Sequence, residues 1–190
     1  MNDVTRIPTH VRQNSPAVTD EAREDRLMRR AAAGQRRAMD CLYRELSTAL
    51  YNYLLRLLGN PEQADDALQV TFLNAWQGRA SFRGRGARPW LFVIARNAAF
   101  RLRRRKPDVE LVDGSAPAAG PADEHHAAEL ADRLDDALAR LPADTREAIV
   151  LSRVSGLSLD EIAELLGTSN GAVRVRLARG LNRLKRELEL

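Results

Sequence analysis

Cysteine, histidine and aromatic side chains are all scarce in this 190-residue chain. There is one cysteine, Cys41, so no internal disulfide can form, which fits a reducing cytoplasm. Cys41 stands beside Leu42 in an apolar helical stretch and reads as buried filler, not as a reactive thiol. The three histidines are His10, His125 and His126. They fall in a tail and a linker, without cysteines or helical spacing, so no metal site is expected. Aromatics make up 5% of the chain, which leaves material for small helical cores but not for a large sheet. No run of about eighteen apolar residues exists, so no membrane insertion is expected. The N-terminus lacks the apolar core of a signal peptide. G-x-x-x-x-G-K-[ST], G-x-S-x-G and H-E-x-x-H motifs are missing as well. Asp65-Asp66 is a carboxylate pair, but near a helix N-terminus the dipole accounts for it. These absences predict a chain with no catalytic residues, no cofactor and no metal: a binding protein, not an enzyme.

What is present is helical. Ala, Leu, Arg and Glu dominate, all good helix formers, and no segment of any length shows the strand period. Residues 1–22 have little periodicity and read as a mobile tail. Helical pattern begins near Glu21 and runs to about Ala33, where Gly34 interrupts it. Met39, Leu42, Tyr43, Leu46, Leu50, Tyr53, Leu54 and Leu57 then recur at spacings of three and four. Gly59-Asn60-Pro61 breaks this stretch. Asn60 caps the next helix, with Pro61 at its first position and Gln63 at the capping-box position. That helix carries Ala64, Leu68, Phe72 and Ala75-Trp76 on one face. Gly78–Arg88 has three glycines and no apolar period and reads as a loop. Pro89 opens another helix, through Trp90, Val93, Ile94, Asn97 and Leu102 to about Arg105.

Lys106-Pro107 ends this first unit. Pro107, Gly114, Pro117, Gly120 and Pro121 then mark a linker. Helical pattern resumes near Ala127 with Leu130, Leu134, Leu138 and Leu141. Pro142 marks a further start, and Ile149, Val150 and Val154 face inward. The expected architecture is all-α. A helical domain spans 23–106, a flexible acidic linker 107–127, and a second helical domain 128–190.

The last part of the chain is a helix-turn-helix pattern. Ser158 and Glu161 form an S-x-x-E capping box. Ile162, Ala163, Leu165 and Leu166 supply an apolar face, and Gly167 ends that helix. Thr168 or Ser169 caps the next one. Its Val173 and Leu177 lie four apart and face inward, which leaves Arg174, Arg176 and Arg179 for a partner. Such a second helix is the kind that enters a DNA major groove. An ordinary helical hairpin with a solvated basic face is the bland alternative; capping, glycine, apolar spacing and basic face together favour the DNA reading.

Charge is segregated although the net charge is only +4. From Arg79 to Lys106 there are ten basic residues and no acid. From Asp108 to Asp136 nine acids face only Arg133. The C-terminal helix is basic again. Two basic surfaces joined by an acidic tether suggest bipartite binding to a polyanion. In the 79–106 segment, arginines alternate with Phe82 and Trp90, a mixture suited to single-stranded nucleic acid. Gly84 and Gly86 let the backbone approach a ligand closely. Trp90 is expected in the core; Phe82 is open to either role.

Asp66-Ala-Leu-Gln69-Val-Thr71-Phe72-Leu-Asn-Ala-Trp76, Phe82-Arg83-Gly84 and Trp90-Leu-Phe-Val-Ile-Ala-Arg96-Asn97 resemble the core of a bacterial RNA polymerase sigma factor of the extracytoplasmic-function type. The segment Leu141-Pro142…Arg146-Glu147 and the helix-turn-helix resemble that family's C-terminal domain. The resemblance covers roughly 24–188 in the same order. It implies an initiation factor in the cytoplasm whose partners are core RNA polymerase and promoter DNA, with an anti-sigma factor as the usual control. Asp66, Gln69, Thr71 and Phe72 fall in the family's clamp-binding helix. Phe82, Arg83, Arg88, Asn97 and Arg101 fall where it captures unpaired bases of the −10 element. Ser169, Asn170, Arg174, Arg176 and Arg179 fall where it reads the −35 duplex. The acidic linker falls where the family threads a segment through the polymerase cleft. Val70 departs from the acid that the family often places after the glutamine. The loop at 84–88 is more basic and glycine-rich than usual. Val175 and Ala178 are small and apolar on the recognition helix. The alternative is a conventional helix-turn-helix regulator on duplex DNA; the 79–106 segment argues against it.

Overall fold

The computed structural model describes residues 16–105, 133–134 and 136–188, and all regular structure among them is helical. The tail before residue 16, the linker and all three histidines lie outside the described residues. Helix α1 spans Pro16–Ala32, α2 Arg36–Leu58, α3 Pro61–Gln77 and α4 Ala87–Arg105. In the second bundle α5 spans Ala143–Val154, α6 Leu159–Leu166 and α7 Asn170–Glu187. A helical stretch over 136–139 precedes α5.

The breaks fall where the local chemistry puts them. Gly34 and Gly59 adopt left-handed φ values of 90° and 69°, ending α1 and α2. The Asn60 side chain accepts from the Gln63 backbone N–H at 2.9 Å, with Pro61 at the start of α3. Two starts differ from expectation. α1 begins at Pro16, because proline suits a first helical turn. α4 begins at Ala87, two residues before Pro89, because Asp25 of α1 reaches across and accepts from the Ala87 N–H at 2.8 Å. A short 3₁₀ turn, Arg79–Ser81, occupies part of the expected loop.

Apolar residues at helical spacing make the core of the first bundle. Met28, Leu42, Leu46, Leu50, Tyr53, Leu54, Leu91 and Phe92 are fully buried. Tyr43 belongs to the same sequence period but lies on the rim, 46% exposed, its ring edge-on to Phe72 at 4.9 Å. Cys41 is partly buried against this core.

The two bundles pack directly on each other. Val150, Leu151, Leu157, Ile162, Ala163, Leu165 and Val173 join the apolar cluster of α1–α4. A second cluster, Ala137, Leu138, Leu141, Ile149 and Leu184, belongs to the C-terminal bundle alone.

Candidate nucleic-acid interface

The helix-turn-helix is fixed by its own caps. The Ser158 hydroxyl accepts from the Glu161 N–H at 3.3 Å, and the Glu161 carboxylate accepts from the Ser158 N–H at 2.8 Å. Gly167 takes a left-handed φ of 63°. Ser169, not Thr168, caps α7, accepting from the Ala172 N–H at 3.2 Å. Val173 is fully buried beneath α7 and Leu177 is partly so. Further along, Gly180 lets α7 cross α5 closely. A Cβ there would lie 2.5 Å from Ile149 Cδ1 and 2.6 Å from Thr145 Cγ2.

Arg174 and Arg179 are exposed on α7. Arg176 is drawn sideways into an ion pair with Asp144 of α5 at 3.4 Å. A short chain steadies the leading end. Asn170 donates to Asp160 at 2.6 Å, and Arg174 Nε donates to Asn170 Oδ1 at 2.7 Å. Val175 is 47% exposed among these arginines, an apolar contact available to a partner.

The second surface lies on α4 and the loop before it. Phe82 and Trp90 are both partly buried and meet edge to face at 5.8 Å, so the two rings form one ledge. Val93, Asn97 and Arg101 follow at spacings of four, all exposed, making one stripe along α4. Arg83 is exposed in the loop. Gly84 and Gly86 hold φ values of 87° and 70°, and Arg29 of α1 donates to the Gly84 carbonyl at 2.6 Å. Arg88 stands apart from this stripe. It pairs with the buried Glu24 of α1 and donates to the Ser155 carbonyl of the second bundle at 2.9 Å. Its guanidinium is thus committed between elements, because a buried carboxylate requires a partner.

On α3, Asp66 and Gln69 are exposed. Thr71 and Phe72 do not share that face. Thr71 is fully buried and its hydroxyl donates to the Ala67 carbonyl at 2.6 Å; Phe72 is 9% exposed. Their expected place on a contact surface is corrected by helical geometry: both sit on the side of α3 that faces the core. Leu73, 60% exposed and four residues beyond Gln69, lies on the outer face with Asp66 and Gln69. Its position off the Ala64–Leu68–Phe72 face was the available signal for it.

Glu147 is the residue that sequence reasoning missed. It lies on α5, 6% exposed, and accepts from Tyr53 Oη at 2.7 Å and from Arg96 Nε at 2.8 Å. Tyr53 and Arg96 belong to the first bundle, so one carboxylate ties the two bundles together. Burial, and then the negative charge of Glu147, hold the Tyr53 hydroxyl well above its usual pKa. No three metal-ligating side chains come together among the described residues, and no described helix is long and apolar enough to cross a membrane.

Comparison with known proteins covers both bundles. Residues 42–107 match the family model for sigma-70 region 2, and residues 131–184 match that for sigma-70 region 4. The chain is 37% identical over 171 residues to RNA polymerase sigma factor CarQ of Myxococcus xanthus, covering 86% of this chain and 98% of that one. It is 37% identical over 166 residues to the ECF RNA polymerase sigma factor SigL of Mycobacterium tuberculosis, covering 84% and 93%. Among solved structures it resembles CnrH in complex with the cytosolic domain of CnrY, with TM-score 0.70, 28% identity and coverage of 88% and 97%. It also resembles RpoE of Bartonella quintana in complex with the anti-sigma factor NepR, with TM-score 0.62, 30% identity and coverage of 77% and 96%.

Proposed function

The chain belongs to the sigma-70 family, in its extracytoplasmic-function branch, and from that premise we propose how its surfaces divide the work of promoter recognition. It is a transcription initiation factor that directs RNA polymerase to promoters. α7 enters the major groove of the −35 element, with Ser169, Asn170, Arg174 and Arg179 at the DNA and Arg176 recruited once it leaves Asp144. The ledge of Phe82 and Trp90, with Arg83, Asn97 and Arg101, receives the unpaired strand of the −10 element. Asp66, Gln69 and Leu73 on α3 meet the polymerase clamp. The chain supplies binding and positioning, and the polymerase does the chemistry. It works in the cytoplasm, where core polymerase and promoter DNA are.

The observation that carries this division is the pairing of two unlike surfaces in one chain. One is a capped helix with exposed arginines; the other is an aromatic ledge continued by polar and basic residues. The first suits duplex and the second suits single strand. Control by an anti-sigma factor is the matching reading for regulation, since the Bartonella RpoE was solved in complex with the anti-sigma factor NepR.

Run-off transcription with purified core polymerase tests the division. Wild-type chain should bind promoter DNA weakly alone and specifically with core, because two weak sites gain when the polymerase fixes their spacing. Arg174→Ala or Arg179→Ala should weaken promoter choice by about 1–3 kcal/mol, the worth of an arginine–guanine contact, with core binding intact. Full activity of both variants refutes the assigned face of α7. Leu73→Asp should instead reduce core binding and leave the isolated chain folded.

A further inference from the structure

α1 lies outside the stretch matched to sigma-70 region 2, yet it borders the loop that precedes α4. Glu24, Leu27, Met28 and Ala31 turn one side of α1 into the core. Arg26 and Arg29 fall on the opposite side, a turn apart, and both are exposed. The acids nearest to them are committed elsewhere. Glu24 is buried and paired with Arg88, and Asp25 accepts from the Ala87 N–H. Glu21 is more than a turn away from Arg26 along the helix.

The loop meets this face of α1. Arg29 donates to the Gly84 carbonyl at 2.6 Å, and a Cβ on Gly84 would stand 3.8 Å from Arg29 Cδ. Arg83 and Arg85 flank that contact in the chain and are exposed. Arg26, Arg83 and Arg85 have no ion-pair or hydrogen-bond partner among the described residues, and the partner of Arg29 is a neutral carbonyl. Four guanidinium groups from two elements are thus gathered without a carboxylate to balance them. Each offers planar, paired N–H donors that match phosphate oxygens. The backbone N–H groups of Gly84, Arg85 and Gly86 donate to no backbone carbonyl among the described residues, and in such a turn successive N–H groups form a hollow for an anion.

Phe82, the chain neighbour of Arg83, is one half of the aromatic ledge. We propose that Arg26 and Arg29 of α1, with Arg83 and Arg85 of the loop, form a phosphate strip that continues this ledge and holds the sugar-phosphate backbone of an unpaired DNA strand. The ledge stacks bases and the strip grips phosphates, which are the two halves of a single-strand site. The strip deepens the proposed −10 surface and rests on that reading. It gives α1 a binding role besides its packing role, and it makes the Arg29–Gly84 contact the joint between the two elements of the strip.

The test is fluorescence anisotropy of the full chain with an end-labelled, mixed-sequence DNA strand of about 16 nucleotides, titrated at several salt concentrations. Each phosphate contact to a single strand adds about 0.7 to the slope of log affinity against log salt. Arg26→Gln combined with Arg29→Gln should weaken binding several-fold and lower the slope by about 1.4. Arg44→Gln combined with Arg153→Gln, which removes the same charge from exposed sites on α2 and α5, should leave the slope unchanged. Phe82→Ala should weaken binding and keep the slope, since stacking releases no counterions. Arg26→Gln alone removes no contact within the fold and should still lower the slope by about 0.7, which separates phosphate binding from any loosening of the loop. If the arginine pair changes nothing while Phe82→Ala weakens binding, the strip is wrong and the ledge stands. If the arginine pair acts and Phe82→Ala does not, the strip stands and the ledge fails. No effect of either overturns both. Equal loss of slope in the Arg44 and Arg153 control, or loss of core-polymerase binding in place of strand binding, overturns the strip.

Discussion

The two surfaces proposed to face DNA are held by opposite means. The α6–α7 pair is set by neighbours in sequence: Ser158 with Glu161, Gly167 in its left-handed turn, and Ser169 with the Ala172 N–H. The α4 surface is set from far away. Asp25, Glu24 and Arg29 of α1 hold Ala87, Arg88 and Gly84 across 55 to 64 residues of chain. The contrast follows the targets. A duplex is a stiff template, and a helix fixed by local caps can meet it as a rigid body. An unpaired strand is pliable, and the loop proposed to receive it has two positive-φ glycines and is moored at its ends.

The most disruptive way to break the contrast is Gly180→Val. A Cβ at that position already overlaps Ile149 and Thr145, and overpacking of this kind costs about 1–3 kcal/mol. We expect α7 to be displaced from α5 and −35 recognition to be lost. The Phe82–Trp90 ledge should persist, and Trp fluorescence with hydrogen exchange would report it. Retained promoter choice in this variant would mean that α7 does not depend on its crossing point.

A pair of cap deletions sharpens the comparison at a smaller scale. Asp25→Ala and Ser158→Ala each remove one N-terminal cap, worth about 1 kcal/mol. The first should speed amide exchange at the start of α4 and leave α6–α7 alone; the second should do the reverse. Loosening of both regions in both variants would show that the surfaces are mechanically coupled through the shared core.

The smallest effect concerns the tie between the bundles. The pKa of Tyr53 is raised in the folded chain, so its contribution is complete below about pH 10 and is lost as pH climbs past it. Melting temperature should fall more steeply above about pH 10 in the wild type than in Tyr53→Phe. Parallel slopes would remove Tyr53 from the account of this interface.

The same local-versus-distant division decides what could be read from sequence. The breaks at Gly34, Gly59 and Gly167 and the caps at Asn60 and Ser158 were legible, and the cap of α7 was narrowed to Thr168 or Ser169, because each depends on residues within a turn of one another. The exposure of Arg174 and Arg179 followed from helical period, whereas Asn97 and Arg101 were singled out by the resemblance alone. The mooring of Arg88 to Glu24, the turn of Arg176 toward Asp144 and the burial of Glu147 were not legible. A glutamate among Thr145-Arg146 and Ala148 reads as a solvated charge until a tyrosine and an arginine from another bundle are placed against it. Thr71 and Phe72 fail for a related reason. A motif marks a stretch of helix, but only the helix's docking says which residues of that stretch face out.

The match to sigma-70 region 2 begins at residue 42, inside α2. The three-dimensional unit does not begin there. α1 buries Met28 and Ala31 completely, caps α4 through Asp25 and anchors its second residue through Glu24. A fragment cut at 42 for expression or crystallisation would leave an open apolar seam and an uncapped, unmoored α4. A stand-alone N-terminal piece should therefore start at or before Pro16, and its solubility against a version starting at 42 measures how far the boundary of the fold lies outside the boundary of the motif.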